Sequence, residues 1–135
     1  MLVVDASVAV KWFLLEADRA AAIALQQSSD LIAPELIVPE VVNTIWRNIR
    51  VGKVVPAFMP VVTARLPAVF ARLAPMLDFA ARAGEIALAL DHPAYDCFYI
   101  ALAEREGIDL VTADSRLFAK TRGTAFDAIV RPLQP

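Results

Sequence analysis

Residues 1–13 read MLVVDASVAVKWF. Leu2, Val3 and Val4 form an unbroken apolar run rich in β-branched side chains, the pattern of a short parallel strand buried on both faces. The run stops at Asp5. Ser7 then offers a cap for a helix carrying Val8, Trp12 and Phe13. The stretch from Asp109 to Ala113, DLVTA, repeats the theme and is followed by Asp114. Two short apolar strands that each end on an acid frame the reading of the chain.

Strand and helix signals alternate between and around these two points. A helix is predicted from Asp18 to Gln27, then a strand from Asp30 to Ala33 stopped by Pro34. The next helix runs from about Pro34 to Arg50, with Val41, Val42, Ile45, Trp46 and Ile49 as its apolar stripe and Gly52 as its stop. Pro39 marks its true first turn or kinks it. Residues 54–67 stay open between helix and loop, because Pro56, Pro60 and Pro67 interrupt a pattern that Val61, Val62 and Leu66 would suit. A third strand is predicted over Val69 to Leu73 and a helix from Pro75 or Asp78 to Leu90. A turn follows at Asp91 to Pro93, then a helix from about Tyr95 to Glu106 ended by Gly107. After Asp114 come a short helix, Ser115 to Lys120, and a last strand, Ala125 to Val130. The alternation predicts an α/β fold: a central parallel sheet of four to five strands with helices on both faces, as one domain over residues 1–135.

Composition narrows the chemistry. Thirteen basic and fifteen acidic residues give a formal charge of −2, so a nucleic-acid partner would be held by a local patch or a bound cation and not by a basic coat. One cysteine excludes an internal disulfide and fits a reducing, cytoplasmic setting. One histidine and one cysteine exclude zinc sites built on several such ligands. The hydrophobic fraction of 59% predicts apolar surface buried against a second copy or another partner. No stretch has the ~18 uncharged apolar residues of a membrane span, and the N-terminal run reads as a strand, not a signal peptide.

In open α/β sheets, ligands gather at the carboxyl ends of the strands. Asp5 and Asp114 stand at two such ends and would share one crevice. Glu40 lies in the early turns of the helix after the second strand, with Asn43 and Arg47 on the same face at i+3 and i+7. Asp96 lies in the first turn of the helix before the fourth strand, and fold geometry alone puts it at the opposite edge. Each acid also has an ordinary role: Asp5 as a helix cap, Asp96 against a helix dipole, Asp114 in a turn, Glu40 as a surface charge. Together they pose an electrostatic problem. Two carboxylates ~5 Å apart at an effective dielectric of ~20 repel by roughly 3 kcal/mol. Such a cluster takes up protons or binds a divalent cation, and oxygen-only ligands favour Mg²⁺ or Mn²⁺.

Four stretches in order resemble the PIN-domain family, and within it the VapC-type toxins of bacterial toxin–antitoxin pairs: MLVVDASVAVKWFL, APELIVPEVVNTIWR, HPAYDCFYIALAE and LVTADSRLF. The resemblance runs from Met1 to about Leu133 and places the family's acids at Asp5, Glu40, Asp96 and Asp114. It implies a three-layer α/β/α fold and Mg²⁺- or Mn²⁺-dependent endoribonuclease activity. It also implies a homodimer and a small antitoxin partner that blocks the site. Ser7, Asn43 and Thr112 would orient the acids or the water around the cation. Arg47, Arg50 and Lys53 could draw in the RNA backbone. Arg116 stands where some relatives carry a further acid, so no fifth carboxylate is expected. His92 is read as a structural turn residue, and Trp12, Phe13, Trp46, Cys97, Phe98 and Tyr99 as packing residues. Two rival readings remain. A catalytically silent RNA- or protein-binding module would keep the fold but bind no Mn²⁺. An aspartyl-phosphate phosphatase would use Asp5 as nucleophile, although Ser7 occupies the place of its usual second acid.

Overall fold

The structure, a computed structural model, describes residues 1–134. Five strands form one all-parallel sheet: β1 (Leu2–Val4), β2 (Leu31–Pro34), β3 (Arg72–Ala74), β4 (Leu110–Thr112) and β5 (Val130–Pro132). Their order is β3-β2-β1-β4-β5. The central β1 pairs through Val3 with Ile32 on one side and Leu110 on the other. Val3, Val4, Ile32, Ala33 and Leu110 are essentially without exposure, as a strand covered by helices on both faces requires.

Among the described residues, seven helices surround the sheet: α1 (Ala6–Ala9), which continues as a 3-10 turn over Val10–Trp12, α2 (Arg19–Ser28), α3 (Ile37–Arg50), α4 (Phe58–Val69), α5 (Ala80–Leu90), α6 (Ala94–Glu106) and α7 (Ser115–Thr121). Right-handed crossovers carry the chain outward from β1 to β3 with α1 to α4 on one face. The return from β3 to β4 uses the α5–α6 hairpin on the other face, where α6 packs against β1, β2 and β4. Arg82 clamps α5 to α6 through both carboxylate oxygens of Glu104 at 2.7 Å, and Arg72 ties β3 to Glu106 at 2.6 Å. Exposed pairs of this kind contribute little singly; the buried Ala83, Ile86 and Leu90 stripe of α5 is the stronger part of the seam. The three-layer α/β/α fold with a parallel sheet is as the sequence predicts.

Several local readings change. Asp5, not Ser7, caps α1, its side chain accepting from the Val8 amide. Residues 58–69 are helical, because Pro60 falls in the first turn of α4, where its missing N–H is not needed, and Pro67 falls in the last. The third strand begins at Arg72 rather than Val69, and the last at Val130 rather than Ala125. Residues 123–129 are held in turns instead, with the Gly123 amide on Asp127 and the Phe126 amide on Thr124. Trp46 lies off the buried stripe of α3: it is 48% exposed, with the Arg50 guanidinium over its ring. Among the described residues no helix is long and apolar enough to cross a membrane.

Candidate active site

The sheet changes direction between β1 and β4, since the chain moves one way from β1 to β3 and the other way from β4 to β5. Such a switch point opens a crevice at the carboxyl edge. Asp5 leaves β1 and Asp114 leaves β4 at that crevice. Glu40 sits in the first turn of α3 and Asp96 in the first turn of α6. All four line one cavity of about 270 Å³, together with Ser7, Asn43 and Arg47.

The placement of Asp96 corrects the expectation that its helix starts at the far edge. Gly107, at φ 67°, ends α6, and β4 begins only three residues later. A helix joined to a parallel strand by so short a turn must run antiparallel to it. Its first turn therefore lies level with the end of the strand, beside Asp114. The α5–α6 hairpin makes this possible by returning the chain to the carboxyl edge before α6 starts.

Asp5 is 3% exposed and sits at the centre of a network. The Ser7 hydroxyl donates to its Oδ1 at 2.5 Å, and the Thr112 hydroxyl donates to its Oδ2. Both hydroxyls accept backbone N–H groups from the β4–α7 turn: Ser7 from Ala113 at 2.8 Å and Thr112 from Asp114 at 3.0 Å. Each hydroxyl has one proton, and both protons point at Asp5. Burial nevertheless pushes its carboxyl from 3.8 up to about 7; the two hydroxyls and the Val8 amide resist that rise, and the charge of Asp96 adds to it.

The other acids are held as well. Tyr99, fully buried on α6, donates to Oε1 of Glu40 at 2.7 Å. Burial raises the Glu40 carboxyl above its ordinary value, Tyr99 pulls it down and Asp96 pushes it up. The Tyr99 phenol is held well above its usual range, first by burial and then by the Glu40 charge, so it stays a donor. His92 Nε2 lies 2.6 Å from Oδ2 of Asp96. Asp114 caps α7 by accepting the Arg116 and Leu117 amides through Oδ1, which leaves Oδ2 for the cavity.

These donors suit a hard cation. The cavity wall offers carboxylate, amide and hydroxyl oxygens and no sulfur. Among the described residues no three His, Cys, Asp or Glu side chains close on a single point as a tight metal cage would. A looser ring with room for water fits Mg²⁺ and Mn²⁺, which keep several of their own waters and take only one or two direct carboxylates. The Asp5 carboxyl is raised chiefly by burial, and the neighbouring Asp96 charge adds to that rise.

The family model of the PIN domain matches residues 2–123, a span that includes all four acids. The chain belongs to the PIN-domain family. Its structure is similar to that of PAE2754 from Pyrobaculum aerophilum, at 28% identity and a TM-score of 0.68 over 91% of this chain and 86% of that one. It is also similar to VapC20 of Mycobacterium tuberculosis, a sarcin–ricin loop cleaving toxin, at 19% identity and a TM-score of 0.66 over 95% of this chain and 94% of that one. FitAcB from Neisseria gonorrhoeae matches at 18% identity and a TM-score of 0.66, over 100% of this chain and 98% of that one. The last two likenesses are of fold alone. No curated protein sequence matches the chain.

Within this PIN domain the three basic candidates separate. Arg47 lines the acidic cavity, Arg50 packs over Trp46, and Lys53 lines a different hollow beside Phe13, Val55 and Phe58. Arg50 and Lys53 do not line the acidic cavity as Arg47 does. Asn43 and Thr44 reach the cavity beside Arg47. The sequence reading missed the hydrogen bonds of Tyr99 and His92 to site acids. The available signal was spacing: Asp96 and Tyr99 fall three apart on one face of α6, and His92 stands four residues before Asp96 in the turn ahead of the helix.

Proposed function

We propose that this PIN domain is a Mg²⁺- or Mn²⁺-dependent endoribonuclease that acts as the toxin of a toxin–antitoxin pair. One observation carries the reading: four carboxylates from four separate segments line one cavity at the switch point of the sheet. Asp5, Glu40, Asp96 and Asp114 would hold the cation, partly through water. Its chemistry is Lewis acidity, which eases deprotonation of water and offsets charge on the departing oxygen of a phosphodiester. Ser7 and Thr112 each donate to one oxygen of Asp5, which favours its charged form against the rise that burial imposes. Arg47, which lines the cavity, would take a phosphate oxygen and draw the RNA backbone to an otherwise acidic mouth. Asn43, on the same helix face, can orient water or a ribose oxygen.

The VapC20 likeness supports RNA as substrate and a toxin role. An antitoxin and a second copy of the chain are the proposed protein partners. Leu15, Val55, Leu77 and Leu88, each at least 67% exposed, supply apolar surface for them. The phosphatase reading is weaker, because both oxygens of Asp5 already accept hydroxyl protons, which blunts a nucleophile. A silent module is disfavoured by the strain of keeping Asp5 buried among other acids with no cation to serve.

Asp5→Asn tests the reading. Mg²⁺-dependent cleavage of RNA by the purified chain should drop below detection while circular dichroism shows an intact fold. Cleavage at the wild-type rate by this variant would overturn the assignment.

A further inference from the structure

The hydrogen bond between Tyr99 and Glu40 joins α6 to α3, two helices on opposite faces of the sheet and 59 residues apart in sequence. Tyr99 has no exposure, so its ring is fixed by the core and its hydroxyl is a donor fixed in space. Glu40 is half-buried, with three side-chain torsions between its backbone and its carboxylate. Left alone, such a side chain samples several rotamers. The Tyr99 hydroxyl engages Oε1 at 2.7 Å and leaves Oε2 as the oxygen for the cavity. Asp96 stands three residues before Tyr99 on the same face of α6, so one helix supplies one acid and aims another. Phenylalanine would fill the same core volume, and the added hydroxyl meets a site carboxylate.

Building on the reading of the four acids as cation ligands, we propose that Tyr99 is a positioning residue that holds Glu40 in the conformer presenting Oε2 to the divalent ion. It touches neither substrate nor cation. Partners of this kind around a metal site typically change affinity or activity by 10–100-fold when removed.

The test is calorimetric titration of Mn²⁺ into the purified full chain for wild type, Tyr99→Phe, Glu40→Gln and the double variant, with thermal melts as a check on folding. Tyr99→Phe should bind Mn²⁺ about tenfold more weakly and melt within a few degrees of wild type. In the Glu40→Gln background the same change should cost nothing further, since there is no charged oxygen left to aim. RNA cleavage by Tyr99→Phe should recover towards wild type at high Mn²⁺. Glu40→Asp, which draws the carboxylate away from the hydroxyl without touching the core, should also weaken binding. Wild-type Mn²⁺ affinity in Tyr99→Phe or in Glu40→Asp overturns the proposal. So does an equal loss in the Glu40→Gln background, or cleavage that stays low at every Mn²⁺ concentration. A wild-type chain that binds no Mn²⁺ at millimolar concentration sinks the cation-site reading and the proposal with it. Normal wild-type binding with an indifferent Tyr99→Phe sinks the proposal alone.

Discussion

Asp5 makes the stability of the metal-free chain fall as pH rises. Burial lifts its carboxyl from 3.8 to about 7 in the folded state. A group whose folded value is raised contributes stability that is fully present below the unfolded value and is lost as pH climbs through the folded one. The loss therefore runs between pH ~4 and ~7, at 1.36 kcal/mol per unit. From pH 5 to pH 8 it amounts to about 3 kcal/mol, two units of a one-proton difference. Typical domains have only about 5–15 kcal/mol in total, so the effect is large enough to measure. The Glu40 carboxyl is raised too and acts in the same direction. Asp5→Asn removes the Asp5 contribution. The Asn side chain disturbs the Ser7 and Thr112 hydroxyls, but that disturbance does not titrate, so it shifts the curve without tilting it. The assay is urea unfolding of wild type and Asp5→Asn at pH 5, 6, 7 and 8 in EDTA. Wild type should lose about 3 kcal/mol more than the variant across that range, and Mn²⁺ at pH 8 should restore much of the loss to wild type alone. Parallel pH profiles for the two proteins would refute the buried, proton-hungry Asp5.

Thr112→Val keeps the shape of a buried side chain but strips the hydroxyl that donates to Asp5 and accepts the Asp114 amide. It should destabilise the chain by about 1–3 kcal/mol in urea unfolding and move the pH midpoint assigned to Asp5 upward, because that hydroxyl holds the carboxyl down. Arg47→Ala, made in the inactive Asp5→Asn background, should weaken RNA binding and reduce the slope of log affinity against log salt by about 1. Arg50→Ala should leave the slope unchanged, since that guanidinium rests on Trp46; filter binding over a salt series separates the two.

What could be read from sequence follows how strongly each element is buried. β1, β2 and β4 lie inside the sheet, covered on both faces, and their apolar runs were plain. β3 and β5 lie at its edges. Arg72 and Leu73 keep some exposure, and β5 ends on Pro132, which an edge strand tolerates because one side of its backbone is unpaired. Edge strands carry little apolar signature, so nearby hydrophobic runs drew the assignment away from them. Val69 and Phe70 finish α4, and Phe126 packs into the core from a turn. The position of Asp96 was legible in principle. A three-residue link from α6 to β4 fixes the direction of the helix without any help from side chains.

Asp5 and Asp114 were visible because strand ends announce them, whereas Asp96 and the supporting Ser7 and Thr112 were brought in by the family resemblance, and Tyr99 and His92 were read only as structure. Tyr99 sits in a run, CFYIALA, whose composition reads as core, and its ring is indeed buried there. Only tertiary structure brings its hydroxyl to Glu40. Thr112 is likewise a strand residue whose methyl group satisfies the β pattern while its hydroxyl serves Asp5, and it was the family resemblance, not periodicity, that singled it out. Both residues pack by their carbon atoms and act by one oxygen, so a reading based on hydrophobic periodicity files them as structure. The physics gives a way to find them. A carboxylate kept buried and charged must be met by donors whose protons have nowhere else to go. Hydroxyl-bearing residues at apolar positions, one helical turn from a site acid or level with it across the sheet, are where those donors should be sought.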